Sequence, residues 1–273
     1  MKCIFCKIES DTSISIEHII PESLGNKEHV LEKGIVCDKC NQYFALKIEK
    51  EVLDYPYFKH VRHINDIASK KGKIPLIQGI MGGIVDIGKD KHGKRFINIK
   101  NPKTMERFES GQIKHMIVPK FDEPPREDKI FSRFLGKVAI ESLAYIFYPD
   151  EGWNEEIIDK PELDKLRQYV RYGEKTKFWE YHQRRIYNES DRFLNPKISN
   201  EPYEVLHEFA FQSSKDGELF FILVIMGIEY ALSMGNPKIN EYKKWLITNG
   251  QRSPIEDRDE KRIIKNYNNN KSP

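Results

Sequence analysis

All four cysteines of this chain lie within its first forty residues, as two Cys-x-x-Cys pairs: Cys3 with Cys6, and Cys37 with Cys40. A two-residue gap lets both sulfurs of a pair reach one ion, and the long interval lets two such turns clamp an insert between them. The pattern fits a tetrahedral zinc site. A module of under sixty residues has a thin core, so a bound metal would supply much of its folding free energy. Two disulfides or idle thiols are the alternative, and the spacing in a cytosolic-looking chain favours metal over both. A redox Cys-x-x-Cys fits less well, because there are two pairs and no thioredoxin-like pattern accompanies them.

The 273 residues suffice for one large domain or two modest ones, and 39% hydrophobic with 32% charged residues is ordinary for a soluble protein. Fifteen Phe, thirteen Tyr and three Trp provide bulk for a core. The net charge of +3 says little, but its distribution says more: residues 61–120 hold 13 Lys/Arg against 5 Asp/Glu, while residues 121–250 hold 18 against 23. A polyanion would lie most naturally on that basic block. The most apolar run, Leu219–Ile228, is about half the length of a membrane helix and reads as buried strand. Met1-Lys2-Cys3 leads straight into the first pair, so no signal peptide is expected and the chain reads as cytoplasmic.

Between the cysteine pairs stands Glu17-His18-Ile19-Ile20-Pro21, and Asn41 directly follows Cys40. Ile14–Ile20 alternates like a strand, Ser23-Leu24-Gly25-Asn26 reads as a turn, and Phe44, Ile48 and Val52 place a helix over Asn41–Asp54. A lone Glu-His dipeptide is by default a solvated strand pair. Here Pro21 and Gly25 end the strand just beyond it, so both side chains can face the helix that opens at Asn41. Asn41 is tied through Cys40 to the metal knuckle, which would fix its position.

Together, Cys-x-x-Cys, Glu-His-Ile-Ile-Pro-Glu-Ser-Leu-Gly and Val-Cys-x-x-Cys-Asn resemble the zinc-clamped branch of the HNH endonucleases, which are ββα-metal (His-Me finger) nucleases. The resemblance covers roughly residues 1–54. It implies that Glu17 and Asn41 ligate a divalent cation, that His18 is the general base, and that Cys3, Cys6, Cys37 and Cys40 hold a structural zinc. It also implies products with 5′-phosphate and 3′-hydroxyl ends. Oxygen ligands with open positions suit Mg²⁺ or Mn²⁺. A neutral imidazole with an ordinary pKa near ~6.5 can accept a proton from water at neutral pH. The family's middle Asn, which braces the loop between the strands, should fall near residues 30–34. That stretch is Val-Leu-Glu-Lys-Gly, and Asn26 is the nearest substitute.

Beyond the motif, residues 55–73 read as a connector with a Lys70-Lys71-Gly72-Lys73 run. Candidate strands are Ile74–Ile80, Ile84–Ile87, Arg95–Ile99 and Ile113–Val118, with Asp90-Lys91-His92-Gly93 as a hairpin turn. Lys70, Lys71, Lys73, Lys94 and Arg95 are the candidate nucleic-acid contacts, against a reading as solvated turn lysines. Helices are expected over 131–148 and Pro161–Tyr172, with a third over Thr176–Tyr187. Strands then follow at Tyr203–Gln212, Leu219–Met226 and Ile228–Met234, and a last helix at Ile239–Thr248. Arg167, Arg171, Arg184 and Arg185 suit phosphate or a nucleotide signal, but surface pairing with Glu174 and Glu180 is the stronger reading. His60, His63, His92, His115, His182 and His207 have no ligand spacing and read as structural or exposed.

The expected fold class is α+β: a small zinc-bound ββα-metal module (1–58), a mixed α+β domain with an antiparallel sheet (59–248), and a polar, disordered tail (249–273). The leading functional reading is a metal-dependent endonuclease hydrolysing phosphodiester bonds in double-stranded DNA. By family analogy, small proteins of this layout resemble defence or mobile-element nucleases. The alternatives are a non-catalytic zinc-knuckle nucleic-acid-binding protein and an RNA-cleaving nuclease. A homodimer would suit double-strand cutting, and the C-terminal domain would be the place for a regulatory ligand or partner protein.

Overall fold

A nineteen-residue helix with charges inside it organises the larger part of this α+β protein. The computed structural model describes the chain except for residues 91, 149, 151, 174–176, 198, 257–261 and 266–273. The expected Lys91, Glu174 and terminal Asn-rich segment therefore lie outside the described residues. Two units emerge, one from residues 1–20, 28–49 and 126–273, the other from residues 21–27 and 50–125.

In the first unit, strands β1 (Glu17–His18) and β2 (Val30–Leu31) pair antiparallel, with Glu17 opposite Leu31 and His18 opposite Val30. Helix α1 (Asp38–Phe44) continues as a π turn over Ala45–Glu49. The long helix is α5 (Lys129–Phe147). The Asp128 carboxylate accepts from the Phe131 amide at 2.7 Å and starts it. Every residue from Phe131 to Ala144 is buried, as befits a helix enclosed by packing on all sides. Around it lie α6 (Trp153–Ile158) and α7 (Asp164–Tyr172).

The antiparallel sheet has the order β6 (Tyr181–Arg185), β10 (Ile228–Ser233), β9 (Leu219–Ile225), β8 (His207–Ser213). Its two central strands are buried apart from the half-buried Leu219 at the start of β9, because both faces are covered. On one face Tyr230 meets Phe131 of α5, with ring centroids 4.8 Å apart. On the other, Phe220, Ile222, Val224 and Ala231 pack with Tyr242 and Leu246 of α8 (Asn240–Thr248). A buried carboxylate there, Glu229, is satisfied by Arg184 at 2.7 Å and by the Tyr242 hydroxyl at 3.1 Å. A small pair, β7 (Arg192–Leu194) with β11 (Arg262–Ile264), completes the unit.

The second unit holds α2 (Lys50–Leu53), α3 (Pro56–Ile64), α4 (Pro102–Glu109) and a three-stranded antiparallel sheet. The sheet order is β3 (Ile77–Ile80), β4 (Ile84–Lys89), β5 (Arg95–Asn98).

Several local expectations change. The span expected as a helix over Thr176–Tyr187 contains strand β6, since Tyr181–Leu232 through Arg185–Ile228 pairing with β10 outweighs weak helix propensity. The connector 55–73 contains α3, begun by Pro56 and held by buried Tyr57, Phe58 and Val61. Ile113–Val118 contributes only an isolated bridge from Ile117 to Ile80. Helix α4, which precedes that stretch, was in no sequence expectation, though Asn101 caps it and Pro102 opens it. Within the expected disordered tail, Arg262–Ile264 is a strand. The arginines are also engaged differently: Arg184 sits on a strand and pairs with Glu229, while Glu180 pairs with Lys238.

The β9–β10 hairpin turns through Met226 (φ 50°) and Gly227 (φ 79°), the left-handed pair that a tight two-residue loop requires. A Cβ on Gly227 would come within 2.4 Å of the Tyr187 carbonyl, whereas one on Gly217 (φ 82°) would meet nothing within 4 Å. Gly227→Ala should therefore cost about 2–4 kcal/mol and Gly217→Ala about 1 kcal/mol. Chemical denaturation of the two variants checks this ordering.

Candidate functional site

The first knuckle is a tight reversal. The Cys3 amide donates to the Ile8 carbonyl and the Lys7 amide to the Cys3 carbonyl, both at 2.9 Å, with Lys7 at φ 59°. The second knuckle leads into α1, whose N-cap is Cys37. The two are stitched by Ile4 N–H to the Ile35 carbonyl at 3.0 Å and by Cys37 N–H to the Cys3 sulfur at 3.3 Å. The helix thus starts at Asp38, and Asn41 lies in its first turn instead of opening it.

All four Sγ atoms lie within 4.8 Å of one another, and Cys6 and Cys37 are 3.6 Å apart. Sulfurs bound tetrahedrally at about 2.3 Å would stand roughly 3.8 Å apart, so the cluster fits one zinc ion. Its electrostatics point the same way. A hydrogen bond from Cys40 draws the Cys3 thiol down to about 5. Burial lifts Cys6 to about 11, and the bond to Cys3 together with burial pushes Cys40 upward. Four crowded thiols cannot all ionise by themselves, and a divalent cation among them removes that conflict.

Asp38 closes the gap between this cluster and the Glu-His strand. Its carboxylate accepts from the amides of Ile14 (3.1 Å) and Ser15 (2.8 Å), and from the Ser15 hydroxyl. The Asn41 side-chain nitrogen donates to the Ile16 carbonyl at 3.3 Å. These bonds bring the first turn of α1 alongside the residues that enter β1. Glu17 is buried, and His18 and Asn41 are half-buried. Pairing in β1 is limited to Glu17–His18, with one further bond from Ile19 N–H to the His29 carbonyl, shorter than the expected strand over Ile14–Ile20. The stretch expected to hold the bracing Asn is β2 and the turn after it. Asn26 is fully buried beside Gly25, which adopts φ 93°.

One group at the site was not anticipated. Lys137 of α5 is fully buried, and its ammonium lies 2.6 Å from Glu17 Oε1, 2.7 Å from Glu49 Oε1 and 2.9 Å from Glu141 Oε2. It also donates to the His18 carbonyl at 3.3 Å. Burial opposes its charge, but the Glu141, Glu17 and Glu49 carboxylates outweigh that and hold Lys137 well above the usual lysine range. Burial lifts the Glu141 carboxyl well above the usual carboxylate range, with Lys137 opposing. Arg133, one turn earlier, donates to the Tyr43 hydroxyl, and the Arg171 guanidinium stacks on the Tyr43 ring at 3.8 Å. Arg167, read from sequence as a surface or phosphate-binding residue, is buried. It donates to the Ile4 carbonyl inside the first knuckle at 2.8 Å and to Asp164 at 2.7 Å. The sequence signal for this set is the four-residue spacing of Arg133, Lys137 and Glu141 in an otherwise apolar helix.

The candidate polyanion contacts lie elsewhere, in the second unit. Lys70, Lys71 and Lys73 sit in an exposed turn, and Lys94 and Arg95 are exposed at the start of β5. In the same block Lys89 pairs with Asp66 at 2.5 Å and Lys100 with Asp86 at 2.6 Å. Among the described residues, no helix is long and apolar enough to cross a membrane.

The cysteine cluster carries a direct test. Purified protein should contain one zinc per chain, and Cys37→Ala should lose it together with cooperative unfolding, as read by elemental analysis and thermal melting. Retention of the parent's melting transition in the metal-free variant would contradict a metal-held module.

No curated protein and no solved structure matches the chain. A family model does: that of the HNH endonucleases, over residues 3–55. Residues 3–55 are an HNH endonuclease domain with a four-cysteine cluster.

Proposed function

We propose that the protein is a metal-dependent endonuclease that hydrolyses phosphodiester bonds in DNA, with His18 as general base and Glu17 and Asn41 as ligands of one catalytic cation. The observation that carries this reading is the bond from the Asn41 side chain to the Ile16 carbonyl, which joins residues far apart in sequence beside the Glu17–His18 strand. The donor set fits a hard cation: a carboxylate from Glu17 and an amide oxygen from Asn41, with no sulfur or imidazole between them. A cation bound there would neutralise charge developing on the phosphate and on the leaving 3′ oxygen.

The remaining work falls to the chain. The His18 imidazole takes a proton from water as that water attacks phosphorus in line. Pairing of His18 with Val30 holds its backbone in the strand, so the point from which the ring projects does not have to be ordered during the reaction. The exposed Lys70, Lys71, Lys73, Lys94 and Arg95 would contact phosphates and give affinity that falls with salt and ignores sequence.

Supercoiled plasmid should be nicked in Mg²⁺ or Mn²⁺ and left intact in EDTA. His18→Ala should lower the rate by roughly 10²–10⁴-fold while zinc content and melting stay at the parent's values. Equal rates for His18→Ala and parent would refute the assignment of the base. Binding of DNA without cleavage would favour the zinc-knuckle binding protein, and cleavage of RNA in preference to duplex or single-stranded DNA would reassign the substrate.

A further inference from the structure

We propose that Lys137 is a positioning residue for the catalytic cation, so that helix α5 forms part of the nuclease centre. The inference rests on the reading of Glu17 as a cation ligand. Its geometric basis is independent of that reading: a fully buried ammonium within 2.9 Å of three carboxylates drawn from β1, the π turn and α5.

A carboxylate ligates a metal best when its orientation is set in advance. Lys137 holds Glu17 Oε1 at 2.6 Å, which restricts the orientation of that carboxylate. The same ammonium donates to the carbonyls of His18 (3.3 Å) and Ile19 (3.5 Å), so one side chain holds both the ligand and the backbone of the base. Lys137 is itself fixed by Glu49 and Glu141, the latter one turn along α5. A lone ammonium this close would repel a cation at Glu17. The carboxyl groups gathered around the ammonium offset part of that repulsion, so the arrangement orients Glu17 without closing the site electrostatically. Partners that orient ligating groups commonly change metal affinity by ~10–100-fold when removed.

The test measures Mn²⁺ binding to zinc-loaded full-length protein, by electron paramagnetic resonance of free Mn²⁺, apart from any cleavage assay. Lys137→Met combined with Glu141→Gln removes the ammonium and the acidic partner it meets on its own helix, and Glu141→Gln alone is its reference. The double variant should bind Mn²⁺ at least 10-fold more weakly than Glu141→Gln at unchanged zinc content, and equal affinity would overturn the proposal. Should the double variant lose its zinc, Lys137→Arg keeps the charge but moves its donors. At least 3-fold weaker Mn²⁺ binding than the parent would then support the proposal, and parent-like binding would overturn it. Glu17→Gln separates the two layers. If it leaves Mn²⁺ binding intact, the cation reading falls and this inference with it. If it abolishes binding while both Lys137 variants bind as their references do, only the role of Lys137 falls.

Discussion

A buried ammonium is the constraint on which the centre of this protein depends. Withdrawing a lysine fully from water costs several kcal/mol unless charged partners replace the lost hydration. Lys137 meets that cost with Glu17, Glu49 and Glu141. The same ion pairs allow Glu17 to be buried at all. Neither charge is tolerable there without the other, so β1, the π turn after α1 and helix α5 must come together for any of them to form. Arg133 on Tyr43 and Arg167 on the Ile4 carbonyl repeat the theme. Long cationic side chains from the C-terminal half end on the polar groups of an N-terminal module too small to bury them alone.

In the proposed reading the module divides its tasks between soft and hard donors. Four sulfurs gathered within 4.8 Å suit a closed, tetrahedral ion that holds the two knuckles together. The oxygens of Glu17 and Asn41, the proposed ligands of the catalytic cation, would suit a harder ion. Covalent adjacency of Asn41 to Cys40, and of Asp38 to Cys37, passes the position of the sulfur cluster on to the strand carrying Glu17 and His18. The bonds of Asp38 to Ile14 and Ser15 and of Asn41 to Ile16 form that link.

Legibility in the sequence followed the range of the interactions involved. Helix α5, the π-interrupted helix after Cys37 and the β9–β10 hairpin were readable, since each announces itself by its apolar pattern. Strand β6 was not, because Tyr-His-Gln-Arg-Arg has no decisive local preference and becomes a strand only by pairing with β10. The same holds for Arg262–Ile264, whose partner lies some seventy residues earlier in β7. Helix α3 was missed for another reason: residues 55–73 were read as a connector, whereas Pro56 stands at a first turn, where a proline is favoured.

By itself the sequence determined the α+β class, the four-cysteine cluster and the nuclease family of residues 3–55. Those features rest on spacings of two, three or four residues, which backbone geometry converts directly into shape. Only the tertiary structure decided what surrounds Glu17. Lys137 stands well over a hundred residues away, and a lysine in an apolar helix carries no local mark of its partners. Its place was set by the requirement that buried charges find one another, which acts through space and leaves no period in the sequence.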